Sequence, residues 1–325
     1  MAEILAEKFE ELAESTKEAK NILLVIHPAP DADALGSVFA FENFIAGQSP
    51  QKDIDIFCVD KPKGNLGALF PIEKISDQYE IEKYDTLIFL DRGDVFYKLG
   101  FDKEIERLPS PPKIVNLDHH QHTFIAGALN VIDTTASATC EIIYRLFEYF
   151  EKEINPAVAQ YLLNGIYGDT GGFKHNNTTA ITLEICADLM KKGASLSKPN
   201  RELFSKKSLN TLKLWAVAMD RARINPKTGM VVSFITKEDL ERCKAGTEDI
   251  SRISEILNTI ADSNFSLVLS EQKKNRIKAS LRSEEYKGVD VSKIARRFKG
   301  GGHKLSSGFE IKGNLKQVGD SWIIE

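Results

Sequence analysis

Four stretches bearing aspartate and histidine stand where apolar runs end, so that their side chains could meet at one place. NILLVI runs into His27-Pro28-Ala29-Pro30-Asp31-Ala32-Asp33, TLIFL ends in Asp91-Arg92-Gly93-Asp94, KIVNL ends in Asp118-His119-His120, and YLLNGIYG leads to Asp169. Asp31 and Asp33, read as part of an extended segment, would point the same way and each face one of two neighbouring cations. Two carboxylates this close are costly unless a cation neutralises them. His27 adds a neutral nitrogen ligand, and carboxylates with imidazole but no thiolate suit Mn2+, Mg2+ or Co2+ better than a structural zinc. Taken singly, an Asp at a strand end is ordinarily a helix cap or turn residue, and a single His is ordinarily structural. The joint pattern outweighs those readings. All six histidines, His27, His119, His120, His122, His175 and His303, lie in or beside a stretch of this kind.

The elements that must position these groups follow from the hydrophobic pattern. Short continuous apolar runs alternate with longer helical patterns, with helices expected near 137–152, 156–167 and 179–192, which is the signature of an α/β fold built on a parallel doubly wound sheet. Runs that are apolar throughout fit central strands covered by helices on both faces. Ligands in such folds bind beyond the carboxyl ends of the strands. A segment of Ser, Lys and Pro follows Gly193, and a long helical pattern spans about 201–223. Strands are expected at 230–235, 265–270 and 276–281, with helices near 250–261 and 289–298, which together make a smaller α+β domain. The expected division is residues 1–193 for the first domain, 194–215 for a linker and connecting helix, and 216–325 for the second.

Composition agrees with two globular domains. The 325 residues are 42% hydrophobic and 28% charged, and the length exceeds what one core usually serves. No apolar run approaches the roughly 20 residues of a membrane span, and the N-terminal stretch, rich in Glu and Lys, has no signal-peptide core. A cytoplasmic protein without membrane contact is expected. Cys58, Cys140, Cys186 and Cys243 are widely spaced, suggesting reduced, buried thiols and no zinc or disulfide framework. The net charge of −4 supplies no global basic field for long nucleic acid, so an anionic substrate needs a local site.

At these residues the chain resembles the DHH phosphoesterase superfamily, whose four N-terminal motifs are His-x-x-Pro-Asp-x-Asp, an Asp after a strand, Asp-His-His, and a further Asp. All four are present in order across about residues 20–190. In the second domain, VDVSKIARRFKGGGHKLSSGF carries the Gly-Gly-Gly-His of the DHH-associated C-terminal domain, and IKASLRS resembles it as well. The resemblance implies that His27, Asp31 and Asp91 hold one divalent cation, and that Asp33, Asp91, His119 and Asp169 hold a second, with Asp91 bridging. The cations would be Mn2+, with Mg2+ or Co2+ as alternatives. His120 would be catalytic beside the scissile phosphate, with Asp118 orienting a histidine. Ser280, Arg282, Gly300, Gly301, Gly302 and His303 would bind substrate, His303 facing it across the cleft between domains. Thr123 and Gly172 depart from residues common in relatives; neither departure removes an expected metal ligand, and both bear on the detailed substrate contacts.

Within the superfamily, a two-domain chain looks like the nano-RNase type. The expected activity is hydrolysis of single-stranded oligonucleotides of two to five nucleotides to mononucleotides, with adenosine 3′,5′-bisphosphate or other nucleotide phosphates as further substrates. The alternatives are a RecJ-like single-strand exonuclease and a non-catalytic nucleotide-binding protein of the same fold. A dinucleotide-binding fold is disfavoured, because no G-x-G-x-x-G follows the first strand. RNA or DNA preference, cleavage polarity and oligomeric state, a homodimer included, stay open.

Overall fold

The computed structural model describes residues 2–48, 51–62, 64–250, 252–273, 275–318 and 321–325. The chain divides into two compact units, Met1–Lys206 and Lys207–Glu325. In the first, strands β1 (Asn21–Ile26), β2 (Asp53–Phe57), β3 (Ile75–Ser76), β4 (Thr86–Leu90), β5 (Lys113–Asp118) and β6 (Leu129–Ile132) form a parallel sheet in the order β3-β2-β1-β4-β5-β6. Alternate side chains divide between two cores. Leu24, Ile26, Ile88 and Leu90 join one, and Leu23, Val25, Leu87 and Phe89 join the other, so β1 and β4 are buried on both faces. That is why their sequences read as apolar throughout. The strand order reverses beside β1, placing the topological switch point between β1 and β4.

Helices Ala32–Gln48, Thr139–Tyr149 and Pro156–Asp169 lie together over one face of this sheet. Their close approach depends on glycine: a Cβ at Gly36 would lie 2.6 Å from the Tyr161 carbonyl oxygen, and one at Gly165 only 2.3 Å from Cys140 Sγ. All four cysteines are buried and unpaired, as the spacing suggested. Among the described residues no helix is long and apolar enough to cross a membrane.

The second unit holds a mixed sheet of β7 (Arg223–Asn225), β8 (Met230–Ile235), β9 (Phe265–Lys273), β10 (Arg276–Arg282), β11 (Gly301–Gly302) and β12 (Ser306–Lys312), in the order β11-β12-β10-β9-β8-β7. Only the β8–β9 pair is parallel among these described strands. Helices Ile253–Asn258 and Val291–Arg297 are shorter than their sequence patterns.

Two expectations are corrected. The helical pattern over 201–223 is not one helix: a π-helical turn ends at Ser205, Lys206 turns extended, and Ser208 accepts the Thr211 N–H at 2.9 Å to cap a new helix, Leu209–Asp220. A side-chain cap competes locally with helix continuation, and periodicity alone does not register it. Nor are Asp31 and Asp33 in an extended segment. Asp31 Oδ1 accepts the N–H groups of Asp33 and Ala34, each at 3.0 Å, and so caps the helix that already contains Asp33. The ordinary role of a strand-end aspartate is therefore present alongside the orientation of its second oxygen.

Candidate metal centre

The cluster is assembled at the switch point from the ends of three strands and two helices. His27 follows β1, Asp91 follows β4, Asp118 ends β5 with His119 and His120 behind it, and Asp169 ends the helix Pro156–Asp169. Asp91 is buried and takes φ +71°, a left-handed backbone that an aspartate tolerates better than most residues. Immediately after it, Gly93 donates its N–H to Asp118 Oδ2 at 2.9 Å. A Cβ there would sit 2.3 Å from the Thr123 carbonyl oxygen.

Potential ligand atoms fall into three overlapping groups, His27–Asp31–Asp91, Asp33–His119–Asp169 and Asp91–His119–His120, with the atoms of each group within 4.8 Å of one another. Asp31 and Asp33 thus belong to different groups. Asp31 stands ahead of the helix as its cap and Asp33 lies inside its first turn, so the two carboxylates leave from different kinds of backbone and reach separate places. His27 Nε2 stands 3.9 Å from Asp31 Oδ2 and 3.7 Å from Asp91 Oδ2. His119 Nε2 stands 3.3 Å from Asp169 Oδ2, 3.6 Å from Asp91 Oδ1 and 4.0 Å from Asp33 Oδ2.

The histidines are held by their other nitrogens. His27 Nδ1 bonds the Pro28 carbonyl at 2.9 Å, and His119 Nδ1 bonds the Ala136 carbonyl at 3.3 Å. A carbonyl only accepts, so each Nδ1 carries a hydrogen, and Nε2 is the nitrogen turned toward the carboxylates and able to ligate a metal. His119 Nε2 is buried with no hydrogen-bond partner. Burial also pushes the His119 pKa down, against the pull of Asp33, which favours the neutral form that ligates metal.

The carboxylates show the same unmet need. Burial first, and then Asp33, Asp31, Asp169 and Asp118, drive Asp91 well above the usual carboxylate range; burial and its acidic neighbours do the same to Asp169. Asp118 is the exception. Burial alone would raise it, but hydrogen bonds from His120 and from the Gly93 N–H outweigh burial and hold its carboxyl low. An unpartnered imidazole nitrogen facing crowded carboxylates fits a hard or borderline divalent cation, and the absence of sulfur from the donor set fits Mn2+ or Mg2+.

Several supporting groups escape a reading of motifs. Asp33 accepts the N–H of Thr139 at 2.7 Å and of Cys140 at 3.0 Å, so it caps the helix Thr139–Tyr149 from another part of the chain. Thr139 Oγ1 donates to Asp91 Oδ1 at 3.0 Å. Asn177 Nδ2 donates to the Ser137 carbonyl at 2.9 Å and the Asp169 carbonyl at 3.4 Å, joining two segments that carry the cluster. The only sequence signal was Ser137-Ala138-Thr139 ahead of a helical run, which reads as an ordinary helix start.

The residues expected to bind substrate lie in the second unit, around β10, β11 and β12. Ser280 and Gly301 both pair with Gly308, forming one row across three strands. Arg282 donates to Ser306 Oγ and, at 3.3 Å, to the Leu281 carbonyl. Gly300 packs so tightly that a Cβ would lie 2.2 Å from the Gly308 carbonyl oxygen, and Gly302 takes φ +129°. His303 is exposed, in a turn closed by its N–H to the Ser306 carbonyl at 2.7 Å. The basic stretch near 273–276 includes Lys274, which lies outside the described residues.

A doubly wound sheet with this cluster at its switch point, followed by a mixed-sheet unit bearing a glycine-rich turn, defines a DHH-type α/β phosphoesterase. Residues 21–166 match the DHH family, N-terminal domain, and residues 227–320 match the DHHA1 domain. The chain belongs to the DHH superfamily, whose phosphoesterases are metal-dependent. A Bacillus subtilis protein named bifunctional oligoribonuclease and PAP phosphatase NrnA is 29% identical over 293 residues, covering 89% of each chain. A Thermus thermophilus protein of the same name is 27% identical over 310 residues, covering 94% of this chain and 89% of that one. In fold, the chain is similar to an exopolyphosphatase-related protein from Bacteroides fragilis, with TM-score 0.83, 24% identity, and coverage of 95% of this chain and 92% of that one. RecJ from Thermus thermophilus, solved with Mn2+, shares the fold at TM-score 0.56 and 13% identity, over 95% of this chain and 52% of RecJ.

Proposed function

We propose that this protein is a metal-dependent phosphoesterase that hydrolyses oligonucleotides of two to five nucleotides to mononucleotides and also dephosphorylates adenosine 3′,5′-bisphosphate. The observation that carries the reading is His119 Nε2, buried without a partner and surrounded by Asp33, Asp91 and Asp169. His27, Asp31 and Asp91 would hold one divalent cation and Asp33, Asp91, His119 and Asp169 a second, with Mn2+ the preferred ion. Bound cations supply Lewis acidity at phosphorus and make water a better nucleophile near neutral pH. The names of the NrnA relatives support both substrate classes.

The remaining chemistry belongs to the chain. Asp118 stays ionised and accepts Nδ1–H of His120 at 2.9 Å, which fixes the ring and leaves Nε2 to hand a proton to the leaving oxygen. Thr139 and the helix start at Cys140 hold Asp91 and Asp33 in place. Ser280, Arg282, Gly300, Gly301, Gly302 and His303 are the proposed substrate-binding groups of the second unit, an Arg and glycine-rich backbone being suited to phosphate. Four buried, unpaired cysteines support a cytosolic location.

The net charge of −4 favours short over long strands, because long ones reward extended basic grooves. A panel of labelled dinucleotides, a labelled long single strand, adenosine 3′,5′-bisphosphate and pyrophosphate, incubated with Mn2+, tests the reading. Turnover of dinucleotides and the bisphosphate is expected. Faster turnover per end on the long strand would favour a processive exonuclease, and no metal-dependent turnover would leave a nucleotide-binding protein.

A further inference from the structure

The loop behind Asp-His-His carries a phenylalanine that the metal chemistry does not use. Phe124 is 67% exposed, yet its neighbours Thr123 and Ile125 are buried, 4% and 0% exposed. The loop is firmly tied down. Thr123 Oγ1 donates to the His120 carbonyl at 3.1 Å, and the Thr123 carbonyl accepts from Asn116 Nδ2 at 2.9 Å. Asn130 brackets Ile125, its Oδ1 accepting the Ile125 N–H at 2.9 Å and its Nδ2 donating to the Ile125 carbonyl at 2.8 Å. Asn116 and Asn130 face each other across β5 and β6 and are themselves bonded at 3.1 Å. The Ala126 N–H donates to the hydroxyl of Tyr97, a second exposed aromatic ring.

Two buried asparagines from the sheet, and a tyrosine from the segment after Asp91, therefore hold the backbone on both sides of one exposed ring. A loop that only connected β5 to β6 would gain stability by burying that ring, since apolar burial is the main favourable term available to a phenylalanine. Its location is also informative. The Thr123 carbonyl lies against Gly93, two residues beyond Asp91, and the Thr123 hydroxyl is bonded to the His120 carbonyl, so the loop that bears Phe124 is anchored to the two segments that carry Asp91 and His120.

We propose that Phe124 is a stacking platform for a nucleobase of the substrate, on the first unit and beside the reacting phosphate. An aromatic face accepts any base, which suits a hydrolase that reads length and ends but not sequence. The platform rests on the phosphoesterase reading and adds a recognition element for the base, where the carboxylates and histidines address only the phosphate.

Steady-state kinetics with Mn2+ test this on the full-length protein, using a 5′-phosphorylated dinucleotide and the matching compound in which hydrogens replace the bases. Phe124→Ala should raise KM for the dinucleotide about tenfold with little change in kcat, whereas the baseless compound should be handled alike by both proteins. Phe124→Trp should keep the wild-type KM. Equal effects of Phe124→Ala on both compounds, or none on either, overturn the platform while leaving the phosphoesterase reading intact. A shift from dimer to monomer with KM unchanged assigns the ring to a subunit interface and overturns the platform as well. Failure of the wild type to hydrolyse either compound overturns both readings.

Discussion

Oδ1 of Asp118 accepts two hydrogen bonds from His120, one from its backbone N–H and one from its ring Nδ1, each at 2.9 Å. The aspartate and the histidine next but one thus form a closed unit that fixes the imidazole before substrate arrives. Asp118→Asn keeps the shape and removes the charge. It should lower kcat roughly 10- to 100-fold while metal content, measured by elemental analysis, stays at the wild-type level. A parallel loss of metal would contradict a role confined to orienting His120.

Asp91 lies between His27 and His119, at 3.7 and 3.6 Å, and shares its surroundings with four other carboxyl groups. Asp91→Asn preserves volume, and asparagine accepts the left-handed backbone found there. Hydrolysis should fall by about a thousandfold or more. In the presence of chelator, however, the variant should unfold at higher urea than the wild type, by on the order of 1–2 kcal/mol, because the repulsion is gone. Lower stability under chelator would contradict the crowding argument.

The same crowding sets a sign for the effect of pH. Asp91 and Asp169 both have carboxyl pKa values raised on folding. Such groups favour the folded state fully below the unfolded pKa of about 3.9, and that stability is lost as pH rises through the folded value. The chelated protein should therefore lose thermal stability as pH rises above the unfolded carboxylate value of about 3.9, and saturating Mn2+ should flatten the decline. Asp118, held low, acts in the opposite direction, and only as pH falls below the ordinary carboxylate range. Identical pH slopes with and without Mn2+ would count against a cation at this cluster.

Thr139→Val removes the hydroxyl that donates to Asp91 at 3.0 Å and leaves the shape nearly unchanged. Metal affinity, followed by competition with a chromogenic chelator, should drop about tenfold. An unaltered affinity would reduce Thr139 to a helix-start residue.

Gly165→Ala should do two things at once. Its new methyl would lie 2.3 Å from Cys140 Sγ and 2.8 Å from Asp33 Oδ1, so the helices must separate and the carboxylate must move. A loss of roughly 1–3 kcal/mol in urea unfolding is expected, together with weaker metal binding. Gly47 is the control: a Cβ there meets nothing within 4 Å, and Gly47→Ala should be neutral or slightly stabilising.

The sheet was legible because its strands are buried on both faces and so are apolar throughout, as TLIFL is in β4. The gathering of His27, Asp91 and His119 was legible too, since a doubly wound sheet brings strand ends to one edge. The direction of Asp31 relative to Asp33 was not. It depends on where the helix starts, and the cap that starts it is a pair of hydrogen bonds to one side-chain oxygen, which leaves no period in the sequence. The break at Ser208 escaped for the same reason, because a helical period runs on through a capping serine.

By itself, then, the sequence determined which groups could do the chemistry and the α/β order that collects them, since both reside in residue type and short-range pattern. The tertiary structure alone decided what holds those groups. Asp33 meets Cys140 across 107 positions, Thr139 meets Asp91 across 48, and Asn116 locks the loop that exposes Phe124. Polar contacts between distant segments leave no period in the chain, because they are set by how helices dock on the sheet.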